Sequence, residues 1–397
     1  MLKRILDVVE SGRLTRFYLD GQSIILDDAL EIAPELAPRV VALMEKGELA
    51  AGPWYVLSDE NLVCGESLIR NLKQGISSVR RFGNPSMVGY CPDTFAHSQD
   101  LPRILTGFGI NNAFVWRGVP PLNYGPAFWW QSPDNSQVLT YHLKKGYYQT
   151  SLHEGDIVRD GNGGGLETVV EEIGKFAEDR EDWDNSTLYE KTPNQILYPV
   201  GGDHVAPPRD FVTLLGQLNK KLAKKNIELV PIHLYEFAEM LEKQAKTPHT
   251  LVGMIRKELR DNCASAQNGN AYLLQGVLST RLYLKRANRE AERRLLRFAE
   301  PLFSILALRG LVDYPGAELA HAMRLLLKNH PHDSICGCSV DAVHDEMDIR
   351  NGRINQVLNA LLEHSELQLS GMSERSSKAP RDPESDLKHI RIINPSG

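Results

Sequence analysis

Short apolar runs alternate with amphipathic segments of helical period over the first 240 or so residues, and this alternation constrains the fold more than any other feature. The runs Arg16–Leu19, Met87–Tyr90, Ala113–Trp116, Val138–Tyr141, Ile196–Pro199 and Leu229–Ile232 read as strands. Between them Ala37–Lys46, Ser67–Phe82, Leu166–Asp179 and Arg209–Lys225 repeat apolar residues at the spacing of one helix face. Strand then helix, repeated, predicts an α/β domain over residues 1–248, with a mostly parallel sheet and helices packed outside it. Gly161–Gly165 lacks the Gly-Lys-Ser/Thr ending of a phosphate loop and reads as a flexible surface turn.

After Glu258 the character changes. Ser279–Leu308, Gly316–Lys328 and Ser339–Leu369 are long, apolar-periodic and joined by short connections, which predicts a three-helix bundle within residues 249–369. The segment 370–397 reads as a polar linker and then a strand, Ile390–Ile393, the first of a β-domain that the chain does not include.

A net charge of −6 with no strongly basic region argues against nucleic acid and anionic membranes as partners, and no apolar run approaches a membrane span. A homo-oligomer is compatible with the composition. Five scattered cysteines do not make a disulfide framework, and Cys336-Gly-Cys338 lacks the second pair of a metal site. Free thiols and a cytoplasmic setting are expected.

Three polar clusters stand beside predicted strand ends or helix breaks. Asp93, with Phe95 and His97, follows the run Met87–Tyr90; an acid there is either the opening cap of a helix toward Leu105 or part of a site at the carboxyl end of a strand. Gly201-Gly202-Asp203-His204 follows Ile196–Val200 and by itself is ordinary turn chemistry. His330-Pro331-His332-Asp333 interrupts a helical region with two imidazoles and a carboxylate, for which metal binding is the commonest reason. Asp93 and Asp203 at neighbouring strand ends would supply the carboxylate pair that glycosidic hydrolysis needs.

The order and spacing of several short motifs resemble the glycoside hydrolase family 38 α-mannosidases, bacterial branch, which includes enzymes acting on mannosylglycerate. They are Leu19-Asp-Gly-Gln22, Gly52-Pro-Trp-Tyr55, Asp59-Glu60, Gly65-Glu66, Arg70-Asn71, Gly89-Tyr90, Pro92-Asp-Thr-Phe95, Trp116-Arg-Gly118, Gly202-Asp-His204, Gly276–Ser279 and His332–Gly337. The resemblance implies a (β/α) barrel-like domain with a mostly parallel seven-stranded sheet, followed by a helical bundle. It implies hydrolysis of terminal α-D-mannosides with retention of configuration, assisted by Zn2+, through a covalent mannosyl-aspartate.

Asp93 matches the nucleophile and a zinc ligand, Asp203 the general acid/base, and His332, in preference to His330, the zinc-binding histidine. Asp333 would bond a sugar hydroxyl, and His204 would also face substrate. Phe95 and Trp54 would offer apolar surface to the sugar, Trp54 equally being core. Arg117 would bind sugar or orient Asp93, and equally reads as a structural ion pair.

Two departures bear on activity. The family carries glycine where Ala96 stands. Its His-x-Asp motif has no match, since the first histidine is His97, so the first strand and two of the four zinc ligands are expected upstream of Met1. Two readings compete with the mannosidase: a silent carbohydrate-binding fragment, and a metal-dependent sugar deacetylase needing no second acid.

Overall fold

A computed structural model describes residues 1–120, 126–143, 146–147, 165–178, 195–202, 208–245, 253–262 and 273–376. The chain divides into two compact units: Met1–Asn61 with Leu68–Gln275, and Leu62–Ser67 with Gly276–Gly397.

In the first unit β1 (Phe17–Tyr18) and β2 (Leu49–Ala50) pair in parallel. A second sheet holds β3 (Gly89–Cys91), β4 (Asn112–Val115), β5 (Ala127–Gln131), β6 (Gln137–His142) and β7 (Gly253–Ile255), in the order β3-β4-β6-β5-β7. Pairing is parallel except between β5 and β6, a hairpin whose turn places Asn135 at φ 70°. The expected mostly parallel sheet is therefore present, with one antiparallel step. Sequence reading overlooked β2, β5 and β7. Two expected strands, Ile196–Pro199 and Leu229–Ile232, are not strands. Pro199 and Pro231 remove backbone donors that a ladder needs, and Tyr198 and Leu229 pack instead against the core.

Both faces of the larger sheet are covered, as parallel strands require. In β4, Ala113 and Val115 enter one apolar cluster with Leu72, Leu105, Phe128 and Trp130. Phe114, between them, enters another with Val88, Tyr141, Phe237 and Leu241. The helices Leu2–Glu10, Ala37–Glu45 and Phe211–Leu222 bury Ile5, Leu6, Val40, Leu43, Leu218 and Leu222 against Leu19 in a third cluster. Helix Gly65–Arg80 fixes the segment before β3: Asn71 accepts from the Tyr55 and Val56 amides at 2.8 and 3.1 Å and donates to Val56 O and Ser58 Oγ.

The second unit is helical. The expected continuous helix Ser279–Leu308 is broken into Leu282–Arg294, a π-helical turn Leu295–Ala299, and Glu300–Leu308. Pro301, which has no N–H to donate, accounts for the widened turn before it. Gly316–Leu327, a short helix His332–Cys336, and Asp341–Ser376 follow. Leu295, Phe303, Leu326, Ile354 and Leu358 form their shared core. The last helix continues past Ser370, where composition places a linker; Ile390–Ile393 and the turn Gly161–Gly164 lie outside the described residues. The cysteines among the described residues, Cys64, Cys91, Cys336 and Cys338, are free thiols.

Candidate active site

Asp93 is the second residue beyond β3, at the carboxyl end of the strand. It does not cap a helix, because the next one begins at Leu101 with Asp100 at its N-cap. One carboxylate oxygen of Asp93 pairs with Nε of Arg117, itself the second residue beyond β4, and the other accepts from the Tyr147 hydroxyl at 3.2 Å. The Arg117 guanidinium lies over the Trp116 ring at 4.1 Å and the Phe95 ring at 5.5 Å. Tyr147 meets Trp116 edge-on at 5.7 Å. The side chains of Asp93 and Arg117 are 15% and 9% exposed, so their pairing is largely shielded from water while an oxygen of Asp93 stays reachable. A neighbouring cation favours the ionised carboxylate, the form that can attack carbon.

The loop that carries Asp93 is held from beneath by Glu60. Its carboxylate lies 2.8 Å from His97 Nδ1 and accepts from the Ser98 amide at 2.9 Å, with both side chains buried. His97 packs edge-on against Trp130 and exchanges backbone hydrogen bonds with Leu259 at 3.0 Å in each direction. Leu259 also bears on the Arg117 loop: a Cβ on Gly118, at φ 77°, would come within 2.2 Å of Leu259 O. One short segment thus braces the loops of both Asp93 and Arg117. Ala96 sits between them at φ 129°, a backbone conformation that glycine adopts freely and alanine does not, at the position where the resembled family carries glycine.

Trp54 is 3% exposed and packs with Leu57, Leu72 and Trp130, in keeping with the core alternative of its reading. Phe95 is 6% exposed and supports Arg117. Asp203 and His204 lie outside the described residues. In the second unit His330 is fully buried, its Nε2 2.7 Å from Asn288 Oδ1, and burial lowers its pKa to about 3. The His332 side chain is 17% exposed and that of Asp333 60%. Asp333 accepts from the Cys338 thiol at 3.2 Å. Tyr147 escaped the sequence reading, as did the bracing role of Glu60. An aromatic four residues past an apolar run carries no local mark of its carboxylate partner.

Among the described residues no three His, Cys, Asp or Glu side chains stand together as a metal site would need. Asp93 meets the Arg117 guanidinium and the Tyr147 phenol.

The family model described as the glycosyl hydrolases family 38 N-terminal domain matches residues 2–257, and that of the alpha mannosidase middle domain matches residues 272–369; the chain belongs to glycosyl hydrolase family 38. A Halalkalibacterium halodurans protein named "Putative mannosylglycerate hydrolase" is 30% identical over 352 residues, which cover 84% of this chain and 36% of that protein. Human alpha-mannosidase 2C1 is 27% identical over 321 residues, 79% of this chain and 27% of its own length. The crystal structure of an alpha-mannosidase from Enterococcus faecalis V583 superposes with a TM-score of 0.77 at 29% identity, covering 93% of this chain and 40% of that one. The chain therefore spans about a third of the length of these curated relatives.

Proposed function

We propose that the protein hydrolyses terminal α-D-mannosides with retention of configuration. The observation that carries the reading is Asp93 itself, an acid at the carboxyl end of a parallel strand, flanked by Arg117 and Tyr147 and still partly open. In this scheme the Asp93 carboxylate attacks the anomeric carbon and the aglycone oxygen leaves with a proton from Asp203, the acid of the family motif. Water, deprotonated by Asp203, then cleaves the mannosyl-aspartate, so two inversions give net retention. Arg117 and Tyr147 hold both oxygens of Asp93 in place before attack, which lowers the reorganisation that the step requires.

Zn2+ belongs to this proposal through the motif match of Asp93 and His332, and metal analysis tests it separately. The reaction is tested with an aryl α-mannoside, following the anomeric product by NMR. Asp93→Asn is expected to lower turnover at least a thousandfold, and an activated fluoromannoside to add one mannosyl group to the peptide holding Asp93. Full turnover in Asp93→Asn would overturn the assignment. Purified protein without stoichiometric zinc, active at the same rate with and without chelator, would overturn the metal proposal alone.

A further inference from the structure

The scheme leaves the exposed carboxylate of Asp20 without a role. Asp20 is the second residue beyond β1, as Asp93 is beyond β3 and Arg117 beyond β4. β1 runs parallel to β2, and just past β2 the Ala51 carbonyl accepts from the Ser86 amide at 2.9 Å, at the approach to β3. The turn that follows Asp20 packs on the Tyr90 ring, three residues before Asp93 along the chain, and the Tyr147 hydroxyl donates to Asp93. Burial first, and then the charge of Asp20, push the Tyr90 phenol well above its usual range, so it is a permanent donor.

The turn around Asp20 is shaped to present it. Asp20 has φ 47°, a left-handed conformation that aspartate and asparagine adopt more readily than most residues. Gly21 follows at φ 70°, where a Cβ would come within 2.8 Å of Tyr90 Cδ1, so only glycine lets the Tyr90 ring lie beneath the turn. Trp54 donates its amide to Gly21 O at 3.1 Å, and the Gln22 side-chain amide donates to Asp20 at 3.3 Å. Asp20 itself is exposed, whereas Asp59 and Glu60 are buried in the scaffold.

We propose that Asp20 is a specificity-determining residue of this site, its carboxylate accepting a hydrogen bond from a hydroxyl of a neutral sugar or polyol and opposing an anionic group at the same place. The proposal rests on the mannosidase reading of Asp93. A carboxylate held by a side-chain amide is a strong acceptor for a hydroxyl, and its field disfavours a second carboxylate close by.

The test compares α-1,2-mannobiose with mannosylglycerate as substrates for the full chain and for Asp20→Asn and Asp20→Gly. Both replacements tolerate the left-handed backbone, so a residue serving the turn alone would leave specificity untouched. The neutral-to-anionic ratio of kcat/KM is expected to fall about tenfold or more in both variants, in keeping with loss of a charged hydrogen bond. A ratio within twofold of wild type in both would overturn the inference. If wild type turns over neither substrate, the catalytic reading fails. The ratio of the two dissociation constants by calorimetry then reads Asp20 independently, and an unchanged ratio, or no binding of either ligand by wild type, would overturn the inference as well.

Discussion

Removing the Glu60 carboxylate tests whether the loop of the candidate nucleophile is braced from within the core. Glu60 and His97 have side chains 2% and 0% exposed, and Glu60 serves two donors, His97 Nδ1 at 2.8 Å and the Ser98 amide at 2.9 Å. Glu60→Ala deletes the carboxylate that both groups face and leaves one buried and one half-buried donor stranded, at a cost of about 3–5 kcal/mol. Glu60→Gln keeps one carbonyl oxygen for the Ser98 amide, and its NH2 then faces the imidazole. His97 can accept that hydrogen at Nδ1 only by carrying its own proton on Nε2, a buried atom with no hydrogen-bond partner. The expected cost is a single stranded donor, about 1–3 kcal/mol.

Urea denaturation followed by tryptophan fluorescence reads the right unit. Trp54, Trp116, Trp129 and Trp130 all lie in it, and the Trp130 ring is 6.0 Å from His97. At an m-value of about 2–3 kcal/mol/M the Ala variant should shift the midpoint by about 1–2 M and the Gln variant by roughly half that. A shift under about 0.3 M for Glu60→Ala, or equal shifts for both variants, would refute the bracing argument.

Gly118→Ala should destabilise the first unit by about 3 kcal/mol or more, since its Cβ would meet the Leu259 carbonyl at 2.2 Å in a left-handed backbone; thermal melting measures this. Arg117→Lys keeps the charge but loses the planar contact with Trp116 and Phe95 and the fixed geometry toward Asp93. It is expected to lower kcat on an aryl α-mannoside about tenfold to a hundredfold with a smaller change in KM. His233 bonds Gly47 O through Nε2 at 2.8 Å, and burial lowers its pKa from 6.5. The unfolded chain therefore takes up the proton first: the contribution is complete above about pH 6.5 and is lost as pH falls toward the folded value. Urea midpoints between pH 7.5 and 5 should fall less steeply in His233→Gln than in wild type.

The residues differ in how far their own neighbourhood reveals them. Asp93 was legible because its signal is local: an apolar run, a proline, then an acid, four residues before a histidine. Arg117 stood out for the same reason, as a charged residue closing an apolar strand; its contact with Asp93 appears only in the fold. Tyr147 was not legible, because its partner lies 54 residues away and the intervening hairpin β5–β6 was itself unread. Trp54 had two readings, sugar-facing and core, that its neighbours in sequence could not separate; in the fold Leu57, Leu72 and Trp130 pack around it.

By itself the sequence determined the alternation of strands and helices, the presence of a helical unit in the second half of the chain, and the position of Asp93 just after an apolar run. Each of these depends on periodicity and turn chemistry within a few residues. Tertiary structure alone decided that Ile196–Pro199 would leave the sheet while β5 and β7 joined it. It also decided that Glu60 would be a buried brace and Asp20 an exposed acceptor, two carboxylates that composition does not distinguish. The physical reason is that burial and hydrogen-bond partnership are set by segments tens to hundreds of residues apart: Leu259 against His97, Tyr147 against Asp93, and Tyr90 beneath the turn of Asp20.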